Sequence, residues 1–178
     1  MLTEIRRIIE KIYAKEENSF FIERCQRKLD FLDDLSKKTS GYCRMIHLSN
    51  ELDDPAVGLH FDIGEFSQGE FHVKYSSVLL ISKVYDAFYL HHEFAVDNLD
   101  ENRIEPILDG FDDQPYSKMQ YMLDEAVTSF LQSENYIRLS YADMQEVIPN
   151  IDIPENCIFG TQMTVENAIF RDLWNLCS

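Results

Sequence analysis

The sequence predicts an α+β fold, an antiparallel sheet of four to six strands with N-terminal and C-terminal helices packed on it. Two changes of pattern lead to this class. Apolar residues recur at helical spacing before residue 38, alternate with polar residues between residues 42 and 96, and return to helical spacing after residue 117. A block of strands between two groups of helices is typical of an antiparallel sheet with helices on one face.

The length of 178 residues and the apolar content of 45% suit one domain with a packed core. Four scattered cysteines, none in a C-x-x-C spacing, fit buried apolar positions better than a zinc or redox site. The domain divides into a helical segment at 1–38, antiparallel strands at 42–96, an acidic loop at 97–116 and a helical C-terminal part at 117–178.

Two amphipathic helices are predicted in the N-terminal segment. The second begins at a cap formed by Asn18 and Ser19 and ends near Lys38, since cations suit the negative end of the helix dipole. The apolar stripes consist of Leu2, Ile5, Ile8, Ile9 and Ile12 in the first helix and of Ile22, Cys25, Leu29, Leu32 and Leu35 in the second.

Alternation of apolar and polar residues predicts a hairpin with one buried face. Its strands lie at 57–63 and 71–75, and a short link with a glycine at each end, 64–69, joins them. The further strands predicted are 42–48, 78–84 and 87–96. The last two of these could also form one long bent strand, because no Gly or Asn marks a turn between them.

The segment after the strands is predicted to be a loop, because Pro106, Gly110 and Pro115 interrupt it. A helix is expected at 117–133. The later elements expected are a short helix from Ser140, a short strand at 157–159 and a helix capped by Thr164.

Acidic residues are concentrated after residue 40. Residues 1–40 contain nine Lys and Arg against eight Asp and Glu, whereas residues 41–178 contain seven against 24, a net charge of −17. A field of this sign repels nucleic acids and anionic lipids, and it attracts basic proteins or cations. We therefore expect no nucleic-acid partner and no membrane partner.

The densest acidic run, interrupted only by Arg103, predicts a surface that binds a basic protein partner. Its carboxylates would steer the partner, and the tyrosines that follow would be buried as anchors. The alternative is a solvated loop that only aids solubility. The residues expected to bind the partner are Asp97, Asp100, Glu101, Glu105, Asp109, Asp112, Asp113, Tyr116 and Tyr121.

A second hypothesis is a small enzyme or a metal- or ligand-binding module on the polar face of the hairpin. The side chains of His60, Asp62 and His72 could meet there if residues 60 and 72 were neighbours across the strands. His91 and His92 cannot share one ion, because adjacent residues of a strand point to opposite faces. No metal-binding, nucleophile or phosphate-binding motif occurs, so we expect no enzyme, no metal and no cofactor.

The first 13 residues form an amphipathic helix with charges spread through it, which differs from the continuous apolar centre of a signal peptide. No run of about 18 apolar residues occurs that would predict a membrane span. These observations predict a cytoplasmic protein.

Two C-terminal stretches of this small acidic chain resemble the immunity proteins of bacterial polymorphic toxin systems. They are YIRLSYADMQEVIP at 136–149 and MTVENAIFRDLW at 163–174. The W-x-L-P type pattern of one large immunity superfamily is missing, and no binding residue is carried over, because immunity proteins have many unrelated folds. The resemblance implies a dedicated toxin partner, often a basic nuclease that carboxylates mask.

Overall fold

Six α-helices and eight strands lie in the part of the chain that the computed structural model describes, residues 2–14, 18–49, 54–98, 102, 108–153 and 160–173. The helices are α1 (Leu2–Ile9), continued by a π-helical turn at Glu10–Ala14, α2 (Asn18–Cys25), α3 (Leu32–Thr39), α4 (Lys118–Ser133), α5 (Tyr141–Met144) and α6 (Val165–Phe170). The strands are β1 (Arg44–Ser49), β2 (Ala56–Gln68), β3 (Phe71–Ser82), β4 (Ala87–Asn98), β5 (Leu108–Asp112), β6 (Ile137–Leu139), β7 (Val147–Asp152) and β8 (Gln162–Thr164). None of these helices combines the length and the apolar character that crossing a bilayer requires.

The main sheet is antiparallel along the strand order β1-β2-β3-β4-β5. β6 adds a sixth strand, which runs parallel to the start of β4. Because β3 occupies one edge of β4, β5 and β6 share the other edge. β7 and β8 form a separate two-stranded sheet. The predicted α+β class with four to six antiparallel strands is therefore confirmed.

Helices cover both faces of the sheet, whereas the sequence indicated one face. Adjacent residues of β2 enter different cores. Val57 packs in a cluster with Leu123 of α4, and Ala56 packs in a cluster with Ile5 of α1 and Ile169 of α6. We call the two sides of the sheet the α4 face and the α6 face.

The second predicted helix is wrong, because it is broken into α2 and α3. Cys25 at the end of α2 is buried in the cluster on the α6 face, whereas Leu29 is buried in the cluster on the α4 face. The chain thus passes from one side of the sheet to the other between these residues, which one straight helix cannot do. Ile22, assigned to the apolar stripe, is 53% exposed.

The start of α4 is fixed to the middle of the sheet by Gln120, whose side chain is fully buried. Its amide nitrogen donates to the carbonyl oxygens of Ser76 at 2.8 Å and of Glu93 at 2.9 Å, and Ser76 and Glu93 are paired across β3 and β4. Gln120 also completes a capping box with Ser117. The helix therefore begins above this pair.

Beyond the Ser76–Glu93 pair, the strands continue past the start of α4. We call this part of the sheet, residues 62–68, 71–76, 93–98 and β5, the open half. Within the described residues, several of its large apolar side chains are exposed by about half: Phe66 58%, Phe71 48%, Leu108 56% and Phe111 54%.

The hairpin is longer than the sequence indicated, and the predicted link at 64–69 is wrong. β2 continues to Gln68, and the turn is Gly69–Glu70, with Gly69 at φ 61°. Gly64, at φ 127°, instead follows a β-bulge between Asp62 and Gly64. The predicted strands at 71–75 and 78–84 are one strand, β3.

β3 and β4 are two strands, so the alternative of one long bent strand is wrong. The turn between them needs neither Gly nor Asn, because a serine side chain stabilises it. The Ser82 hydroxyl accepts hydrogen bonds from the backbone nitrogens of Val84 and Tyr85 at 3.1 and 3.2 Å, and it donates to the carbonyl oxygen of Ile169 at 2.7 Å.

Two other segments contain strands that the sequence did not predict. The segment predicted as an acidic loop contains β5, and the C-terminal part predicted as helical contains β6, β7 and β8 beside its helices. The helix predicted at 117–133 and the caps at Ser140 and Thr164 are confirmed. The strand predicted at 157–159 lies outside the described residues.

Candidate functional site

Two rows of side chains cross the α6 face in the open half of the sheet. Register pairs Asp62 with Ser76, Ser76 with Glu93, and Glu93 with Phe111, so these four side chains form the first row. The second row consists of Glu65, Lys74, Ala95 and Asp109. Side chains of paired residues point to the same face, so the rows form one surface.

A pocket of about 620 Å³ lies on this surface. Both rows line it, and His60 lies beside them. Four carboxylates thus line one depression: Asp62, Glu65, Glu93 and Asp109. Of the described lining residues, Lys74 is the only lysine or arginine.

Glu93 is the most strongly held of these carboxylates. Nε2 of His91 lies 3.0 Å from its Oε1, and the Ser76 hydroxyl donates to its Oε2 at 3.0 Å. The hydrogen bond from His91 lowers the pKa of Glu93, partial burial opposes this change, and the bond from Ser76 adds to it. Glu93 is therefore a fixed anion at neutral pH.

Two of the other charges on this surface are paired with neighbours. Asp62 accepts a hydrogen bond of 3.0 Å from Arg44, which lies on the outer strand β1. Lys74 lies 3.1 Å from Asp97, and both that hydrogen bond and the charge of Asp97 raise the pKa of Lys74. Because Lys74 is paired with Asp97, its ammonium group repels a cationic ligand in the pocket less strongly.

Phe111 supplies an aromatic wall beside the carboxylates. Its ring lies 5.6 Å from the ring of His91 and 5.6 Å from that of Tyr141, with edge-on geometry in both contacts. More than half of Phe111 is exposed, so part of the ring is open to a ligand. Carboxylates beside an aromatic ring are the groups that bind Lys, Arg and other organic cations.

The structure distributes the predicted acidic residues over several surfaces. Asp109 lines the pocket and Asp97 pairs with Lys74, so both belong to the α6 face. Asp112 accepts a hydrogen bond from the backbone nitrogen of Gln114 at 2.9 Å. Asp113 accepts one from the backbone nitrogen of Tyr141 at 2.7 Å. Three members of the predicted set, Asp100, Glu101 and Glu105, lie outside the described residues.

The two predicted tyrosine anchors are both exposed, by 42% for Tyr116 and 55% for Tyr121. The Tyr116 ring packs against Phe94, with centroids 4.8 Å apart. Phe94 in turn lies over Gly110 of β5, where an added Cβ would meet its ring at 2.8 Å. Tyr116 therefore borders the α4 face of the open half, on the opposite side of the sheet from the pocket.

The predicted grouping of His60, Asp62 and His72 is wrong. His60 is paired with Val78, whereas His72 is paired with Ser67, six residues nearer the turn. His72 contacts Glu65 at 2.9 Å instead. Nowhere do the described residues bring together three His, Cys, Asp or Glu side chains that could hold a metal ion.

The α4 face contains a buried polar array that the sequence did not predict. The Ser77 hydroxyl oxygen lies 2.8 Å from Nδ1 of His92, and Nε2 of His92 donates to Asp124 at 2.9 Å. These are the residue types of a hydrolytic triad, but Ser77 and His92 are both fully buried. A substrate cannot reach the serine oxygen, so the array has a structural role.

Neither family models, curated proteins nor solved structures show a match to this chain.

Proposed function

We propose that this protein binds a basic protein partner and holds a Lys or Arg side chain of that partner in the pocket on the α6 face. The observation that carries this proposal is a pocket of about 620 Å³ that four carboxylates and the Phe111 ring line together. An extended Lys or Arg side chain would place its cation among the carboxylates and its stem against the ring.

The charge distribution supports a protein partner rather than a small cation alone. The net charge of −16 gives the molecule a field that extends over several ångströms beyond its surface and accelerates the approach of a basic protein. Asp97 on β4, Asp112 at the end of β5 and Asp113 directly after it also contribute to this field. The pocket then supplies the short-range contact that fixes orientation.

The proposed activity is non-catalytic and cytoplasmic. As the resemblance to immunity proteins implies, the partner we propose is a toxin domain, which the protein would neutralise by occupying its basic surface. Glu93 supports a binding role over proton transfer, because its lowered pKa holds it in the charged form.

A pair of short peptides tests the pocket directly. The first is acetyl-Gly-Arg-Gly-Arg-Gly-amide, and the second has citrulline in place of both arginines, which keeps the shape and removes the charge. We expect the arginine peptide alone to shift the NMR signals of Ser76 and Phe111. Glu93→Gln with Asp109→Asn should weaken its affinity about tenfold or more.

The matched control is Asp33→Asn with Glu125→Gln, which removes the same charge from exposed positions on α3 and α4. This control should change affinity by less than about twofold, because screening limits distant exposed charges. Equal losses in the two double variants would show that net charge alone drives binding. Equal affinity for the citrulline peptide would contradict a cation-binding pocket.

A further inference from the structure

We propose that the same basic partner also packs an apolar segment on the α4 face of the open half. This inference rests on the proposed function and adds a second contact surface to it. Its basis is a row of four apolar side chains that register places side by side across four strands. The row consists of Phe66, Val73, Val96 and Leu108.

The apolar row is exposed at both ends. Phe66 and Leu108 are 58% and 56% exposed. Phe71, which lies two residues before Val73 and on the same face, is 48% exposed. The fixed start of α4 above Ser76 and Glu93 leaves the row beyond that helix. Exposed apolar side chains that are contiguous across a sheet mark an interaction surface more often than an isolated one does.

The strand β5 connects this surface to the pocket. Leu108 belongs to the apolar row on one face, and the next residue, Asp109, lines the pocket on the other. β5 is also the last strand in the sheet order along this edge. A partner that reaches around β5 therefore contacts both surfaces with one continuous segment.

The charges at the two sides of the row select the partner. Glu70 lies in the β2–β3 turn beyond Phe66, Asp112 lies on the face of the row at the opposite end of β5 from Leu108, and both are exposed. A second copy of this chain would bring its own acidic groups and a net charge of −16 against them. A segment with apolar side chains flanked by Lys or Arg instead complements the apolar row and its acidic border.

Three designed 14-residue helical peptides separate the two surfaces. One combines Leu with Lys, one combines Leu with Glu, and one combines Ser with Lys, all with the same spacing. The protein variant is Phe66→Thr with Leu108→Thr, which keeps β-propensity at exposed positions. The control variant is Ile22→Thr with Val147→Thr, which removes apolar side chains that are 53% and 42% exposed elsewhere.

We expect tight binding of the Leu/Lys peptide only. The Phe66→Thr, Leu108→Thr variant should weaken it about tenfold or more, mainly through faster dissociation, and the control variant by less than about twofold. Binding of the Ser/Lys peptide should be the same in all three proteins. Thermal unfolding of both variants verifies that the fold is kept.

Three results would overturn the inference, and each identifies a different part of it as wrong. Unchanged affinity of the Leu/Lys peptide in the Phe66→Thr, Leu108→Thr variant would overturn the apolar surface and leave the pocket standing. Equal binding of the Leu/Glu peptide would overturn the basic partner and with it the proposed function. Dimerisation in sedimentation velocity that this variant abolishes would assign the row to a second copy and also overturn the inference.

Discussion

His92 and Asp124 are joined by a hydrogen bond of 2.9 Å in the interior of the protein, between the middle of β4 and the middle of α4. His92 is fully buried, and the carboxylate of Asp124 also accepts two hydrogen bonds of 2.7 Å from Arg138 on β6. A strand, a helix and a short parallel strand are thus held together through one carboxylate.

The proton positions in this array follow from its partners. The carboxylate of Asp124 can only accept, so Nε2 of His92 carries a hydrogen, and Nδ1 shares a hydrogen bond with the Ser77 hydroxyl. Both ring nitrogens of His92 thus have hydrogen-bond partners.

Removal of the Arg138 guanidinium should be strongly destabilising. We expect Arg138→Met to lower the free energy of unfolding by about 2–4 kcal/mol, because it removes the charged partner and both of the 2.7 Å hydrogen bonds of the buried Asp124 carboxylate. The Arg138 side chain is 26% exposed, which keeps the loss below that of a fully buried pair. Urea unfolding monitored by circular dichroism measures it.

A double-mutant cycle provides the control for that change. Asp124→Leu combined with Arg138→Met should cost clearly less than the two single changes added together, since the uncompensated charge is gone. Strict additivity would mean that Arg138 stabilises the fold through its stem and its hydrogen bonds to Thr128 and Asp113 rather than through Asp124.

Stability should fall in mild acid because of Asp124. Burial raises the pKa of Asp124, but hydrogen bonds from His92 and Arg138 outweigh burial, so the pKa in the folded state is below that of the unfolded chain. The stabilisation is therefore complete above the unfolded pKa, near 4, and is lost as the pH falls through the folded value. Asp124→Asn should flatten the decline in unfolding free energy between about pH 5 and pH 3.

A substitution at an exposed aspartate is the control for the pH experiment. Asp33→Asn changes the net charge by the same unit at an exposed position of α3, and it should leave the slope between these pH values as in the original protein. If both variants flattened the slope equally, general charge repulsion rather than the buried array would govern acid unfolding.

Gln120 links the helix to the strands, and its loss should be costly. Its amide nitrogen donates to two strand carbonyls, and its amide oxygen accepts from the backbone nitrogens of Tyr116 and Ser117 at 3.0 Å each. Gln120→Leu leaves these buried groups unsatisfied, so we expect a loss of about 2–4 kcal/mol in guanidinium unfolding. Gln120→Glu keeps the two acceptor contacts but places a carboxylate oxygen against the two strand carbonyls, so it should lose at least as much. A clearly smaller loss in Gln120→Glu would show that the acceptor contacts carry most of the stabilisation.

Periodicity predicted the fold class, because alternation in β2, β3 and β4 and helical spacing in α1 and α4 follow from burial of one side of each element. It did not predict that α2 and α3 lie on opposite faces of the sheet. The stripe from Ile22 to Leu35 has helical spacing throughout, and only the two separate cores reveal the break.

The candidate pocket was predicted only in part. His60 and Asp62 were assigned to the polar face of β2, and the pocket lies there. His72 was grouped with them because the bulge before Gly64 and the turn at Gly69 could not be located from glycine positions alone. Phe111 was missed because Gly110 suggested a loop, whereas this glycine instead makes room for the Phe94 ring.

We expect the acidic segment at 97–116 to steer the basic partner towards the protein, and association kinetics test this. Asp100→Asn, Asp109→Asn and Asp112→Asn together should slow association of the Leu/Lys peptide about three- to tenfold at low salt and flatten the dependence of the rate on ionic strength. Folding should be little affected. An asparagine at 112 can still accept the hydrogen bond that Asp112 receives from Gln114, and Asp109 lies exposed on β5.

The matched triple variant, Asp30→Asn, Asp33→Asn and Asp34→Asn, removes three exposed charges from the N-terminal segment and changes the net charge equally. Stopped-flow fluorescence at two ionic strengths compares them. Equal slowing in both triple variants would mean that net charge alone attracts the peptide, and unchanged rates in the first would reject steering by this segment.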